Sequence, residues 1–413
     1  MLNLLPNELW DFGALDLAQG LATALDPRRR KPSMAIEVPG LGPCLPIRTA
    51  RVAIMVALRA LGLTAGARIG VPLYCCPVVF KAIRSAGCTP RFIDVDRATC
   101  CVSAEDLSSK ASTVDAVIAV HMFGHVCDVD QMRDAAPGKP IIEDCAQALG
   151  STLNGRSVGL FGDVAALSFH SGKYVSVGEG GALYSGDAGL RSRLAEFVAA
   201  LPAPDRLDEC LHVAETFLKS SLRSRPLWGL VGERVWQAYG DRVAYTSQSP
   251  MVTTRMLETD RAAATRRLPR LDSWIRRQRA NAEYYTRYLA VPADVLCAET
   301  RGAFYNRLQY PLLARSSEEC ERLAALLHAD GIGTARPYRH IAAIAAAHYG
   351  YAGDCPRAEQ VASTVLAVPC HHELRQADIE RVAASLNRGW TMIGPRPSQS
   401  STSSPVPQGT MPS

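Results

Sequence analysis

The sequence predicts an α/β fold built around a doubly wound, mainly parallel sheet, and three observations carry that expectation. Short strand-like apolar runs alternate with helical runs between residues 50 and 143, the pattern of successive βαβ units. The chain has 413 residues, more than one hydrophobic core usually fills, so a second unit is expected. Pro72, His121 and Asp144 close apolar runs, and open α/β sheets bind ligands at the carboxyl ends of their strands.

Residues 1–46 read as an irregular arm or lid, with a basic patch, Pro27-Arg28-Arg29-Arg30-Lys31-Pro32, among several prolines and glycines. The run from Ala50 to Leu61 has helical spacing, follows Thr49 and stops at Gly62, as a buried helix with few charges would. Strands are expected at Arg68-Ile69-Gly70-Val71-Pro72, from Pro90 to Val95, from Val114 to Val120 and from Pro140 to Glu143. Helices are expected from Val78 to Ala86 and from Ser103 to Lys110. A helical insertion, 188–250, sits within a large unit, 47–256. Its basic amphipathic piece, 217–231, favours a subunit or domain contact over a membrane-surface helix. One long arginine-laced helix from Leu257 to Leu289 reads as a connector and opens a small C-terminal unit, 257–390, whose second α/β part begins near Phe304. Pro, Ser, Thr and Gln dominate 394–413, a tail expected to be disordered.

Composition narrows the class. Hydrophobic residues make up 47% and charged residues 21%, an ordinary globular profile. A net charge of +5 is small for this length and argues against nucleic-acid binding, while suiting a phosphorylated cofactor and an anionic substrate. The 13 cysteines include no CxxC spacing, which fits reduced cytoplasmic thiols better than a disulfide framework or a zinc site. The first residues lack a basic stretch followed by a sustained apolar run, so neither a signal peptide nor a spanning helix is expected.

The chemistry is concentrated in three segments: Ile141-Ile142-Glu143-Asp144, Ser168-Phe169-His170-Ser171-Gly172-Lys173 and Gly178-Glu179-Gly180-Gly181. A lysine between an apolar strand and a glycine turn can be held with its ammonium charge suppressed, as an amine that condenses with an aldehyde requires. An aspartate at a buried strand end can pair with a pyridinium nitrogen, so together they point to pyridoxal 5'-phosphate (PLP). Each residue also has a plainer reading: Lys173 as a surface lysine, Asp144 and Thr49 as helix caps. His121, His125 and His170 read as structural or pocket-wall histidines, because no three of them have metal-ligand spacing.

These segments resemble the DegT/StrS-type PLP-dependent sugar aminotransferases, which share the aspartate aminotransferase fold. The resemblance spans roughly Pro46 to Leu386 and rests on Glu143-Asp144-Cys145-Ala146-Gln147-Ala148-Leu149-Gly150, Gly162-Asp163 with Ser168-Phe169 and Lys173, and the glycine turn. Val120 to His125 and Pro369 to Leu374 are similar to two further family segments. The fold so implied has a seven-stranded large-domain sheet and a smaller C-terminal α/β domain. Lys173 would bond the cofactor's aldehyde and shuttle protons, Asp144 would meet the pyridine nitrogen, and Gln147 would lie near the phenolic oxygen. Ser168, Thr49 and Ala50 match phosphate positions at a helix N-terminus. Cys76 falls where the family has a ring-stacking aromatic, with Tyr74 or Phe80 as substitutes, and Thr253 falls where an asparagine reaches the partner's phosphate. His170, Arg255, Arg336, Tyr338 and Arg339 are the substrate-side candidates. Arg48 replaces a family glycine, either to pair with the phosphate or to crowd the turn.

The resemblance implies a cytoplasmic homodimer that moves an amino group from an amino acid, L-glutamate in the first instance, to a keto sugar on a nucleotide. A PLP enzyme of the same fold with a non-sugar substrate, and a non-catalytic scaffold, remain as alternatives. Related dehydratases carry histidine in place of the lysine, so Lys173 argues against that branch.

Overall fold

The computed structural model describes residues 3–26, 35–236, 251–297 and 299–393. The basic patch at 27–32, residues 237–250 of the insertion and the tail from 394 lie outside the described residues. The strands, in chain order, are β1 (Ile36–Val38), β2 (Gly42–Ile47), β3 (Arg68–Pro72), β4 (Thr89–Ile93), β5 (Ala116–Val120), β6 (Ile141–Asp144), β7 (Thr152–Leu153), β8 (Arg156–Ser157), β9 (Val164–Ser168), β10 (Gly181–Tyr184), β11 (Ala303–Phe304), β12 (Tyr310–Leu313) and β13 (Val365–Val368).

Eight of them form the central sheet in the order β1-β2-β10-β9-β6-β5-β3-β4. From β9 to β4 every neighbour is parallel, while β10 runs antiparallel to both β9 and β2. Strands β5, β6 and β9 are buried along their whole length, as parallel strands covered by helices on both faces must be. The chain leaves β3 toward β4 and then returns to place β5 on the other side of β3. That reversal is the topological switch point, where the strands' carboxyl ends open a crevice. The turn after β3 carries Cys76 and the turn after β5 carries His121.

The helix Ala50–Ala60 is buried at nearly every position and packs against helices Pro77–Ser85 and Ala188–Ala199. The antiparallel pair β12/β13 anchors a second apolar cluster with Tyr285, Leu323, Leu327, Val382 and Leu386. Helices Ile341–Tyr349 and Pro356–Thr364 turn the other way, placing Ile341, Ala345 and Val361 in the core of the large sheet. No described helix is long and apolar enough to cross a membrane.

Three sequence expectations are corrected. Residues 1–46 are not wholly irregular: Ala14–Leu25 is helical, and β1/β2 form a hairpin on the edge of the sheet, giving eight strands instead of seven. The prolines in β2 concealed it, since proline fits strands only where few ladder bonds are asked of it. The connector from Leu257 to Leu289 is two helices, Glu258–Arg267 and Leu271–Tyr288, because Pro269 lies in the turn between them and has no N–H to continue the ladder. The described part of the insertion holds helices Ala188–Ala199 and Arg206–Arg223.

Candidate functional site

Asp144 is the last residue of β6, aligned with Val120 of β5, and only 6% of its surface is exposed. Its Oδ1 accepts the Ala146 N–H at 3.0 Å. Burial raises the Asp144 carboxyl above the usual range, and the Ala146 N–H, Lys173 and His121 draw it part of the way back. Glu143, one residue earlier, is satisfied by protein: it accepts from Gly159, from Phe161 and from His121 Nε2 at 3.0 Å. His121 Nδ1 in turn accepts the Cys127 N–H at 3.0 Å, which places the ring proton on Nε2. His121, Glu143 and Cys145 lie close enough to hold an ion, but these bonds already use the histidine and the glutamate, so they form a structural knot below Asp144.

Lys173 lies on the loop between β9 and β10. Phe169 N–H donates to Gly180, Ser171 N–H to Gly178 and Lys173 N–H to His170, which ties the loop onto the glycine turn. Part of the Lys173 surface remains open, while protein surrounds its amine. Burial pushes the amine below the usual ammonium range, against the pull of Glu8, Cys76 and Asp144. A carboxylate at a strand end and an amine with its charge disfavoured are therefore within electrostatic reach of each other. Cys76, the N-cap of helix Pro77–Ser85, is the third member of this group: burial raises its thiol, and both Lys173 and Asp144 act on it.

Around these three the structure assembles most of the other candidates. Gln147 Oε1 accepts the Phe123 N–H at 3.0 Å, and its Nε2 donates to the Tyr338 hydroxyl at 3.2 Å. Tyr338 has a left-handed φ of 58°, a strained conformation for a bulky residue. Tyr74 is fully buried in the wall beside it, with its hydroxyl donating to the Pro337 carbonyl at 3.1 Å. Phe80 packs on Phe92 and Tyr349 in the core, so it is no substitute for Cys76. Ser168 ends β9, paired with Gly181, and its Oγ accepts the His170 N–H at 3.3 Å. Thr49 is the N-cap of helix Ala50–Ala60, accepting the Val52 N–H at 3.3 Å. Gly181 is pressed against that helix start: an added Cβ would stand 3.0 Å from the Ala50 nitrogen and 2.4 Å from the Leu167 carbonyl oxygen. Only glycine lets β10 approach the helix N-terminus this closely.

The charged residues divide. Arg48 Nε meets Glu179 at 2.7 Å, Arg51 meets the same carboxylate at 3.4 Å, and Arg48 Nη1 donates to Thr254 Oγ1 at 3.5 Å. Arg48 thus locks the glycine turn through Glu179, instead of crowding it. Thr253 is the neighbour of Thr254, and the Arg255 N–H donates to the Pro202 carbonyl. Arg336 is not brought to the lysine: Glu321, Ser317 and the Ser363 carbonyl hold its guanidinium. Arg339 Nε donates to His340 at the surface. The His170 ring stands edge-on to Trp10, and its Nδ1 bonds the Ser171 carbonyl.

Sequence reasoning missed Asn306, whose amide donates to the Gln147 and Leu149 carbonyls and so fixes the turn after Asp144. It also missed Glu8 and Trp10 over the lysine loop. Nothing local in either stretch announces a site, since both act on residues more than 150 positions away in the chain.

A mainly parallel sheet with a lysine loop, a strand-end carboxylate and a glycine-pressed helix start at its carboxyl edge defines an aspartate aminotransferase-like α/β enzyme. The chain belongs to the DegT/DnrJ/EryC1/StrS aminotransferase family, whose model matches residues 40–387. It is 30% identical over 289 residues to the GDP-perosamine synthase of Escherichia coli O157:H7, covering 69% of each chain. It is 29% identical over 357 residues to the dTDP-3-amino-3,4,6-trideoxy-alpha-D-glucose transaminase of Streptomyces venezuelae, covering 82% of this chain and 80% of that one. The crystal structure of S. venezuelae DesV in complex with a ketimine intermediate superposes with a TM-score of 0.69 at 26% identity, over 93% of this chain and 98% of that chain.

Proposed function

We propose that this protein transfers an amino group from an amino acid, L-glutamate, to a keto sugar carried on a nucleotide, using PLP held at Lys173 in a cytoplasmic homodimer. The observation that carries the reading is the pairing of a charge-suppressed Lys173 with a buried Asp144 on the carboxyl edge of the sheet. Two relatives named for nucleotide-sugar amination support the acceptor class.

The residues fit the cofactor's three recognisable parts. Lys173 is the amine for the aldehyde. Asp144, a buried carboxylate, suits a pyridinium N–H, and the start of helix Ala50–Ala60, capped by Thr49 and flanked by Ser168, suits a phosphate. When bound, PLP supplies an electron sink for the carbanion formed at the substrate carbon. Lys173 would then take and return the proton at that carbon, a role that its lowered amine favours. Gln147, fixed by Phe123 and Asn306, and Tyr338 form the wall between the edge of the sheet and the second unit. We assign cofactor binding to 47–256 and closure over the substrate to 257–390.

The test is the visible spectrum of purified protein with PLP, before and after adding L-glutamate. A yellow band that glutamate bleaches, absent in Lys173→Ala, is expected, with amino transfer in the variant lower by about four to six orders of magnitude. A wild type that forms no band in excess PLP overturns the reading in favour of a non-catalytic homologue.

A further inference from the structure

The family match begins at residue 40, yet the N-terminal segment ends on the Lys173 loop. Leu5 fixes its course: the Leu5 N–H donates to Gly331 at 2.9 Å, and its carbonyl accepts from Gly333 at 2.8 Å. Three residues on, Glu8 lies over Gly172, where an added Cβ would stand 3.2 Å from the carboxylate and 3.1 Å from the Trp10 ring nitrogen. Glu8 Oε1 accepts from Gln309 at 3.2 Å, and Oε2 accepts from Arg223 at 3.3 Å.

Arg223 is unusual for an arginine at a helix end. It is 7% exposed, and its guanidinium carbon lies 4.1 Å, 4.5 Å and 4.9 Å from the ring centroids of Trp236, Trp10 and Trp228. A guanidinium boxed by three indoles and tied to one carboxylate is a fixed charge, unlike a solvated surface arginine. Its consequence is that Glu8 is fixed too.

The groups that act on the Lys173 charge are Glu8 from the N-terminal segment, Cys76 from the turn after β3, Asp144 from β6 and His170 from its own loop. Arg51 acts on Cys76, and both Arg51 and Glu179 act on His170. His371 and His372 share a small cavity with Glu8 and Lys173. Two carboxylates therefore act on the amine, Glu8 from the cavity it shares with Lys173, and in the proposed function Asp144 is committed to the pyridine nitrogen. An enclosed ammonium costs free energy unless a counter-charge meets it.

We propose, resting on the cofactor-bearing role of Lys173, that Glu8 is a positioning residue for that lysine. It holds the amine at the reacting centre whenever the amine is not bonded to the cofactor, and Arg223 in its tryptophan box holds Glu8. The N-terminal segment, a strap over the lysine loop, thereby supplies that loop with its counter-ion from outside the family-matched region.

Glu8→Gln keeps the shape and removes the charge. The readout is the pH at which Lys173 in the cofactor-free, full-length protein is half-acylated by a water-soluble amine reagent, followed by mass spectrometry of its peptide. The midpoint is expected to fall by about one pH unit in Glu8→Gln, the effect of losing one close opposite charge, and to stay within about half a unit of wild type in Glu8→Asp. Glu8→Ser, which also deletes the carboxylate, should give the same fall and serves if Glu8→Gln does not fold. An unmoved midpoint in whichever variant folds overturns the proposal, as does a full-sized fall in Glu8→Asp. Failure of the cofactor reading would show separately, as a wild type without its PLP band whose lysine still titrates.

Discussion

The carboxyl edge of the sheet and the N-terminal strap with its insertion helix both press on Lys173, but they are built in opposite ways. At the edge, Asp144 is held by its own strand and by the backbone two residues on, and burial raises its proton affinity. A charge kept there costs stability and is useful only to a ligand. At the strap, Glu8 is held by side chains from far along the chain, Arg223 and Gln309, and it completes a buried cation instead of opposing burial. In the proposed reading, chemistry is placed on the rigid element and charge balance is delegated to the segment that wraps it.

Asp144→Asn tests the first half with the largest effect. Removing the charge without changing the shape should lower kcat by about a thousandfold, the scale of losing one preorganised electrostatic partner. The thermal midpoint should hold or rise, because a buried carboxylate is replaced by a neutral amide. A variant that keeps activity, or that melts well below wild type, would place Asp144 with the structural caps.

Arg223→Met should do the reverse. The aliphatic side chain still fills the indole box, but Glu8 loses its cation. A buried pair broken on one side costs about 3–5 kcal/mol, and since 30% of the Glu8 side chain is exposed, about 1–3 kcal/mol is expected after screening. The PLP band should persist. Denaturant unfolding reads the first quantity and absorbance the second; a variant as stable as wild type would reduce the tryptophan box to surface packing.

The same division governs how much was legible in the sequence. The strand–helix alternation, the strand-end Asp144 and the lysine loop are local patterns, and the described structure places each where its neighbours in sequence predicted. Thr49 could be read as both cap and anion site because one backbone geometry serves both. The β1/β2 hairpin was hidden by prolines, and the break at Pro269 was overridden by the apolar spacing on either side. Glu8 and Arg223 gave no signal, because a charge pair separated by most of the large unit leaves no periodicity. Arg336, in a loop that resembled a substrate loop, turned out to be held by Glu321 and Ser317.

Between the two regions lies an effect that shows itself only as a dependence on pH. His212, on helix Arg206–Arg223, abuts Gly178 of the glycine turn and bonds Asp260 at 3.1 Å, with Asp260 only 2% exposed. Burial pushes the Asp260 carboxyl up to about 6, with His212 and Arg48 drawing it down and Glu179 adding to the rise. Burial lowers the His212 imidazole, but Asp260 and Glu179 outweigh it and leave it above its usual value. The signs agree. An acid whose folded pKa is raised favours folding at low pH and loses that advantage as pH climbs from about 4 to about 6. A histidine whose folded pKa is raised stabilises below its unfolded value and loses that as pH rises through the folded one. Asp260→Asn removes the first contribution and the partner of the second. The stability of wild type minus that of Asp260→Asn should therefore fall by about 1–3 kcal/mol between pH 4 and pH 8, read from denaturant midpoints across that range. Parallel curves would mean that the turn and the insertion helix are not coupled through this pair, and that the edge and the strap are linked at Lys173 alone.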